Sequence, residues 1–593
     1  MKNTMLLLIL CFILSHLDAQ NFKHHDFLGA GHDNGITVTT SSSTTTAKGT
    51  KTVDGFPIDN DEQLKDASRF LAQSTFGADM PTIQMTAAMG YEAWLDEQFS
   101  LPQTKIFPKM YQQSALYATP EELGEEAGLY KPWYESAWMH NNLTAADLLR
   151  QRMTFILSQI MVINNNSDLF EDNSQMGGNY YDLLGNNAFE NYRSLINDVT
   201  LSPAMGLFLS HYNNPKADPS KNIHPDENYA REIMQLFSIG LWELDEYGRR
   251  KYDADNQFIP TYTNADIKEF AQVFTGLGDG SPGGVFGDMD EEGDGEGDFF
   301  KSIITPMKMY DAFHDTSEKN LLNDVTLPAG QSGMEDIAQT LDHLSSHANT
   351  APFLTKSLIK FLTTSNPSDA YVKRVVDVFN PFEENNFQKV IKAILLDPEA
   401  RNCQRSDTYT FGKLREPLMR YLNYLRAFPL SSSTGEFLYE FGDVLANTGQ
   451  APLRAPSVFN FFLPDYSPQG PINQQYRVAP EFQILNSTNS IGLVNLINGL
   501  SIERNYLASD VIDGDELSGA VPSYQVDFSE VEAMASNSSA LINYLDILLA
   551  NGLLTTETKG IIKQAVEHLS NPADRVKMAS YLIMISPDCA ILK

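Results

Sequence analysis

Apolar side chains recur at helical spacing along most of the chain beyond residue 60. Residues 145–162 show this best, because their apolar side chains fall on one face of a predicted helix: Leu148, Leu149, Met153, Ile156, Leu157, Ile160 and Met161. Residues 62–75 repeat the pattern, and Pro81 and Pro203 occupy the first-turn position that proline favours in helices. Runs with strand-like alternation are few and short. The pattern predicts a mainly α, multi-helix globular protein with long loops and few short strands.

Further helices are predicted at ten places in the rest of the chain: residues 264–274, 333–344, 352–362, 369–378, 386–396, 414–428, 480–496, 539–549, 556–569 and 572–585. Two loops between them exceed the usual length for compact proteins, and loops that long tend to be functional or disordered. The first, residues 276–298, is rich in glycine and acidic side chains. The second spans residues 450–478.

Residues 450–478, here named the aromatic loop, interleave prolines with Phe459, Phe461, Phe462, Tyr466 and Tyr476. Because large apolar rings are costly to leave in water, we expect this loop to pack on the helices and to line a cleft. Its rings, with Arg454, Asn460 and Gln474, could stack on a sugar or a peptide. Alternatively, the rings simply fill core space beneath a long loop.

The first 60 residues differ in character from the rest. Residues 1–20 have the basic start, short apolar run and small-residue cleavage site of a secretory signal peptide. Residues 21–60 form a Ser/Thr-rich leader that we expect to be disordered. Residues 61–593 form the large helical domain, with residues 500–593 as a possible C-terminal helical subregion. Because no later segment reaches about 18 apolar residues, we expect an exported protein, periplasmic or extracellular, without a transmembrane segment once the signal is removed.

The net charge of the chain is −34, which excludes some partners and permits others. Nucleic acid is disfavoured as a partner, because binding phosphates requires clustered Lys and Arg. Cation binding is permitted, although solubility alone explains such a charge. Outside the signal peptide the cysteines are Cys403 and Cys589, and export allows a disulfide between them as readily as two buried free thiols.

Residues 224–240 carry the densest set of chemical side chains in the chain. Pro225 fits the first position of a helix and makes His224 its N-cap, so the acidic side chains that follow suit the positive end of the helix. Glu227 and Arg231 can pair four residues apart, as can Asn228 and Glu232 on an adjacent face. The segment is therefore either a structural polar network at a helix start or a functional site built on Glu227, Asn228, Arg231 and Glu232.

Two other segments are candidates for chemistry. His314 and Asp315 place a histidine beside a carboxylate, which could act as a base or as a metal ligand. Residues 288–298 alternate oxygen donors around a glycine as calcium loops do, but Phe299 stands where such loops place a bidentate glutamate. This partial match gives either a flexible acidic loop or a Ca2+ site on Asp288, Asp290, Glu292, Asp294 and Glu296.

Several motifs occur in the order found in a bacterial family catalogued as domain of unknown function 1800. Residues 226–240 resemble its signature Asn-Glu-Asn-Tyr-Ala-Arg-Glu-Leu-Met-Glu-Leu-Phe-x-Leu-Gly. Six other stretches are similar to further motifs of that family: residues 67–76, 90–98, 184–205, 262–276, 313–315 and 455–458. The resemblance therefore covers about residues 61–590.

The resemblance implies a mostly helical exported protein without a settled function. It also implies a partner, because genes of this family often neighbour those of a sulfatase-like family, catalogued as domain of unknown function 1501. Family members often carry a Trp-His-x-His-like cluster after a Leu-x-x-Arg-Met pattern. Here residues 149–153 match that pattern, but residues 157–160 read Leu-Ser-Gln-Ile, so a metal site built on those histidines loses its support.

Three functions follow as hypotheses. The leading one is an exported accessory or partner protein of a sulfatase-like protein, acting in the handling of extracellular polymer. The second is a hydrolase whose acid and base groups come from Glu227, Arg231, Glu232, His314 and Asp315, since such work needs paired groups with separated pKa values. The third is a calcium-dependent surface-binding protein that uses residues 288–298. Whether the protein is an enzyme stays open at this point.

Overall fold

The computed structural model describes residues 61–117, 131–287, 299–401, 411–439, 441–503 and 524–593. The predicted signal peptide and leader, the acidic stretch 288–298 and Cys403 lie outside these residues. Among the described residues, no helix combines the length and the apolar character needed to cross a membrane.

Helices dominate the described chain, which confirms the predicted fold class. The α-helices are Asp61–Ser74, Met80–Met89, Tyr91–Ser100, Ile106–Tyr117, Lys131–Thr144, Leu148–Ile160, Asp168–Asp172, Ser174–Asn186, Tyr192–Leu201, Pro203–Phe208, Asn228–Glu232, Asn264–Val273, Phe299–Ser302, Gly333–Ser346, Thr350–Leu362, Asp369–Val376, Asn386–Leu395, Pro398–Arg401, Pro417–Ala427, Gly442–Thr448, Pro471–Gln474, Ser487–Asn498, Ser529–Met534, Ser538–Leu545, Thr556–Glu567, Pro572–Ile585 and Pro587–Ala590. Wider or tighter turns occur as π-helices at Ile233–Ser238, Gly499–Glu503 and Asp546–Ala550, and as 3-10 helices at Asp311–Phe313, Leu322–Asp324 and Pro480–Gln483.

The strands of the described chain are two or three residues long and pair in antiparallel twos. The pairs are Leu277–Gly278 with Lys308–Met309, Lys319–Asn320 with Thr326–Leu327, Lys413–Leu414 with Ile591–Leu592, and Leu430–Ser432 with Tyr524–Val526. The third pair joins two segments that lie far apart in the sequence.

The first helix also contacts the C-terminal part of the chain. Ser68 Oγ donates to the carbonyl of Ile547 at 2.5 Å, and Gln73 Nε2 donates to the carbonyl of Lys593 at 3.4 Å. One hydrophobic cluster runs from Phe70 in the first helix to Cys589 near the end. The described part of residues 500–593 therefore shares a core with the rest, and Cys589 is a buried free thiol within it.

The predicted amphipathic helices follow the apolar pattern closely. Residues 145–162 give the helix Leu148–Ile160, and residues 572–585 give Pro572–Ile585 without change. The first of these is buried on most of its surface, including its polar residues Arg152 and Gln159. Because a buried polar side chain needs a partner, this helix indicates where a polar network must lie.

The helix of residues 224–240 begins later than the sequence predicts. Pro225 does not open it and His224 is not its cap, because the first helical residue is Asn228. The side chain of Asn214 accepts the backbone N–H of Asp226 at 2.9 Å, and the Asp226 carboxylate accepts the N–H of Asn228 at 2.7 Å. The first bond comes from a residue outside the segment and the second from within it, and together they hold the histidine-proline stretch outside the helix.

Candidate functional site

Glu227 and Arg231 lie on the solvent side of the helix Asn228–Glu232. Their carboxylate and guanidinium are 3.3 Å apart, as the four-residue spacing predicts, and each side chain is 38% exposed. Asn228 is exposed as well. Ion pairs this open to water are worth only about 0.2–1 kcal/mol. These three predicted site residues therefore have the chemistry of an ordinary helix start.

Glu232 is the member of this segment whose burial needs an explanation. Its side chain is buried, and Oε2 has no hydrogen-bond partner among the described residues. Burial raises the pKa of Glu232, although the neighbouring Arg231 opposes that effect. The phenol of Tyr262 lies close enough for Glu232 to help raise the pKa of that phenol. Glu232 is thus a buried carboxyl group biased toward its neutral form.

His314 is buried in a fully hydrogen-bonded site. Its Nδ1 lies 2.9 Å from the carbonyl of Thr275, and its Nε2 lies 3.1 Å from Oδ2 of Asp336. The same Asp336 oxygen accepts from Lys319 Nζ at 2.7 Å, and Gln331 donates to the other oxygen at 2.6 Å. His314, Lys319 and Asp336 are each at most 1% exposed. Such a satisfied, closed cluster fastens elements together and leaves no ring nitrogen for a ligand.

The carboxylate of Asp315 does not take part in that site. Its carboxylate turns to the next residues, accepting the N–H of Ser317 at 2.8 Å and the hydroxyl of Ser317 at 2.5 Å. Its backbone carbonyl accepts from Lys319. The carboxylate partner of His314 is therefore Asp336, which sequence adjacency could not identify.

A second buried histidine stacks on the helix Asn228–Glu232. The ring of His211 lies 3.8 Å from the ring of Tyr229, and the Tyr229 hydroxyl is 2.7 Å from Oγ1 of Thr200. His211 Nε2 is 2.9 Å from the carbonyl of Thr200, whereas Nδ1 has no partner among the described residues. Burial lowers the pKa of His211 to about 4, against an ordinary 6.5. The imidazole is therefore neutral at physiological pH.

We expect His211 to make the protein less stable in mild acid. His211 binds a proton below about pH 6.5 in the unfolded chain but only near pH 4 in the folded chain. Lowering the pH from 6.5 toward 4 therefore favours the unfolded chain, and the stability that the neutral ring allows above pH 6.5 is lost over this range. Replacing His211 with phenylalanine keeps a ring on Tyr229 and removes this titration. Chemical denaturation between pH 4.5 and 6.5 measures how steeply the free energy of unfolding rises with pH. This slope should be smaller in the variant than in the unmodified protein by roughly 1 kcal/mol per pH unit. Equal slopes would contradict the assignment.

The six predicted catalytic residues lie in different surroundings. Glu227, Asn228 and Arg231 are at the surface, Glu232 is buried in the same helix, and His314 is enclosed away from Asp315. Neither of the two cavities described below is lined by any of them. The hydrolase built on these residues stays a prediction.

The predicted calcium ligands Asp288, Asp290, Glu292, Asp294 and Glu296 lie outside the described residues, so that hypothesis also stays a prediction. Within the described ranges, no group of three or more His, Cys, Asp or Glu side chains is arranged to hold a metal ion.

The aromatic loop packs on the helices and lines a cavity, as its composition predicts. Phe461 and Phe462 are buried, whereas Phe459 is 44% exposed. The space between the walls is about 690 Å3, including the part open to solvent. Four phenyl rings contribute to these walls, two from the helix Thr350–Leu362 and two from the loop: Phe353, Phe361, Phe459 and Phe462. The loop therefore both fills core space and forms a concave surface.

Residues 226–240 reach this cavity through the π-helix that follows Glu232. Leu236, inside the π-helix Ile233–Ser238, lines the wall. Gly240 has φ +72°, and a Cβ there would lie 2.8 Å from the ring of Phe353, so this residue lets the ring approach the backbone. Single π turns within helices are often associated with functional sites. The segment that carries the family resemblance thus contributes a wall residue to the cavity.

The polar groups of the cavity come from separate parts of the chain. Gln159 and Ile160 line it at the end of the helix Leu148–Ile160, where the resemblance placed histidines. Asn460 comes from the aromatic loop, and Glu481 from the short helix Pro480–Gln483. Asn460 Nδ2 donates to Gln159 Oε1 at 3.1 Å. Apart from Lys360 and Ser357, the rest of the lining is apolar.

Glu481 belongs to a buried network of two cations and two carboxylates. Lys413 Nζ lies 2.9 Å from Glu481 Oε1 and 3.8 Å from Glu416 Oε1, and Arg152 Nη2 lies 3.7 Å from that same Glu416 oxygen. Both cations donate to the carbonyl of Phe361, near the negative end of its helix. All four charged side chains are at most 5% exposed. A smaller cavity lies beyond them, lined by Arg152, Lys413 and Glu416.

Burial affects the proton affinity of two groups that line the larger cavity. It raises the pKa of Glu481, although Lys413 opposes the effect. Burial, with repulsion from Lys356, lowers the pKa of Lys360 to about 8. Lys360 Nζ donates to the carbonyl of Pro464 at 2.8 Å and so ties the helix Thr350–Leu362 to the aromatic loop. The carboxylates of Asp465 and Glu481 oppose the shift of Lys360, whose side chain keeps some contact with solvent.

The chain belongs to the family described as a protein of unknown function, DUF1800, which it matches over residues 69–591. The match includes the signature helix, the aromatic loop and all four members of the ionic network. Neither the curated proteins nor the solved structures compared with the chain gave a match. The predicted family is thereby confirmed.

Proposed function

We propose that this member of the DUF1800 family is an exported accessory protein that binds extracellular polymer in the cavity beneath the aromatic loop and works beside a sulfatase-like partner. The cavity is the observation that carries the proposal, because it combines phenyl rings with a buried carboxylate. Small-ligand sites usually have this composition, mostly apolar with a few fixed polar groups.

The ion pairs and hydrogen bonds next to the cavity hold its polar groups in place, which favours binding by a rigid site. Glu481 is held by Lys413, and Gln159 by Glu416, so the polar groups have little freedom to lose when a ligand arrives. A site arranged in advance in this way loses less entropy on binding. Export is proposed from residues 1–20, and the sulfatase-like partner from the genes that often neighbour this family.

We expect the mature protein and a sulfatase-like protein of the family catalogued as domain of unknown function 1501 to elute together from a size-exclusion column at micromolar concentrations. Interfaces that survive such dilution have dissociation constants near 1 µM or below. An unrelated acidic protein of similar size serves as the control and should elute separately. Separate elution of the two proteins would contradict the partnership and would leave ligand binding in the cavity to its own test.

A further inference from the structure

Lys360 places an ammonium group in the mostly apolar wall of the larger cavity. Its Nζ donates to the carbonyl of Pro464 at 2.8 Å, and Pro464 lines the cavity as well. The ammonium therefore lies where the helix Thr350–Leu362 meets the aromatic loop, and the side chain keeps some contact with solvent. An ammonium has three N–H donors, so two remain for acceptors beyond the described contacts.

Two carboxylates near this wall pair with other cations. Asp465 belongs to the aromatic loop, but its carboxylate lies 3.1 Å from Arg250 Nη2. Glu481 lines the same cavity, but its carboxylate lies 2.9 Å from Lys413 Nζ. Among the described residues, no carboxylate oxygen lies within 4.0 Å of Lys360 Nζ. Lys360 is thus a charged wall residue without an ion pair in the part of the chain that is described.

Lys356 repeats this situation about one helical turn earlier. Its Nζ donates to the carbonyl of Gly248 at 2.7 Å, and again no carboxylate of the described chain lies within 4.0 Å. The chain has 76 acidic side chains, so a shortage of carboxylates does not explain two half-buried ammonium groups without ion pairs. Because taking a charge out of water is costly unless an opposite charge compensates it, this wall favours an anionic group.

The rest of the wall favours an apolar group. Phe459 and Leu463 line the cavity and are 44% and 40% exposed, so they present apolar surface that a ligand can reach. Covering such surface is favourable because it removes apolar area from water. Of the two charged lining residues, Glu481 is buried, which leaves Lys360 as the charged group that an incoming ligand meets.

We propose that the cavity binds an apolar carboxylate, an apolar group that carries a single carboxylate, as the unit of the polymer that this protein recognises. The apolar part covers Phe459 and Leu463, and the carboxylate accepts hydrogen bonds from Lys360 Nζ. A single negative charge matches a single ammonium, and hydrogen bonds between charged groups are roughly twice as strong as neutral ones. This inference rests on the proposed binding role of the cavity and is independent of the sulfatase-like partner.

Probes that share one apolar body and differ in their head group test the charge. They are 4-phenylbutyrate, 4-phenylbutanamide and 4-phenylbutylamine, titrated against the full mature chain and followed by NMR of the ligand. The carboxylate should bind more tightly than the amide and the amine by about tenfold or more. Acetate presents the head group without the apolar body and should bind far more weakly than 4-phenylbutyrate.

Four variants locate the binding. Lys360→Met removes the charge and keeps an apolar chain, so it should weaken 4-phenylbutyrate binding by about tenfold or more and leave the binding of the amide nearly unchanged. Lys360→Arg keeps the charge and should keep the preference for the carboxylate. Phe459→Ala should weaken the binding of every probe. Lys356→Met is the matched control, since it removes the same charge from a residue that does not line the cavity, and it should weaken carboxylate binding by less than about threefold.

The outcomes separate this inference from the proposed function. Amide or amine binding at least as tight as that of the carboxylate, and sensitive to Phe459→Ala, would overturn the carboxylate assignment and leave the cavity as a binding site. Absence of binding by every probe would overturn both. A preference for the carboxylate that survives Lys360→Met, or that Lys356→Met reduces equally, would overturn the role of Lys360. Acetate binding as tight as that of 4-phenylbutyrate would overturn the role of the apolar body.

Discussion

Replacing Glu416 with alanine should lower the free energy of unfolding by about 3–5 kcal/mol. Glu416 is 1% exposed, lies within 4 Å of Arg152 and Lys413, and accepts hydrogen bonds from Gln159 and Gln450. Removing it leaves two buried cations facing one remaining carboxylate, with two amides unpaired. Chemical denaturation monitored by circular dichroism measures the loss.

The exposed pair of Glu227 and Arg231 provides the matched control for that result. Glu227→Ala also removes a carboxylate from an arginine, but in water, and should cost at most about 1 kcal/mol. Adding Arg152→Met to Glu416→Ala removes the cation that has lost its carboxylate, keeps the pair of Lys413 and Glu481, and should recover part of the loss. A cost below 1 kcal/mol for Glu416→Ala alone would show that water or a structural rearrangement compensates the cations, and would contradict the network as described.

The second large effect is expected at Asp336. Asp336→Ala removes the acceptor shared by His314, Lys319 and Gln331, and should cost about 3–5 kcal/mol because the ammonium of Lys319 stays buried without a carboxylate. Burial alone would raise the pKa of Asp336, but these three hydrogen bonds outweigh it and lower that pKa. The contribution is therefore present above pH 4 and is lost as the pH falls further.

Asp315→Ala tests whether this prediction depends on the structure rather than on the sequence. Asp315 is the neighbour of His314 along the chain, yet its carboxylate bonds only to Ser317 among the described contacts. Its replacement should cost less than about 1 kcal/mol. Thermal unfolding of the two variants at pH 7 compares them directly. Similar losses would mean that the His314 site depends on the local loop rather than on Asp336.

The helical character of the chain could be predicted because it depends on local spacing. The helices Leu148–Ile160 and Pro572–Ile585 follow apolar positions that recur every three or four residues. The start at Asn228 could not be predicted in the same way, because Asn214, from another part of the chain, holds Asp226 outside the helix. Helix ends are thus the places where tertiary contacts override local preference.

The candidate site was predictable only in part, for a related reason. The aromatic loop could be identified from its rings, since many large apolar side chains in one long loop must find a surface to cover. Glu416 and Glu481 gave no such signal, because a lone glutamate in a sequence is usually exposed. Their role depends on Arg152 and Lys413. Lys413 is three residues from Glu416, but Arg152 and Glu481 lie far from both along the chain. Arg152 lies in a stretch similar to a family motif, on a helix that the sequence predicts to be amphipathic. That was the signal available from the sequence.

The pairing of Lys413–Leu414 with Ile591–Leu592 has a consequence for how the chain matures. Lys413 and Leu414 lack their strand partner until residues 591 and 592 have been synthesised. Contacts between residues so far apart in sequence form slowly, and a chain waiting for them exposes apolar surface. A nascent chain that has not yet reached residue 591 therefore lacks this strand pair. Chaperones that shield long incomplete chains should matter more for its yield than for a protein built from local helical hairpins.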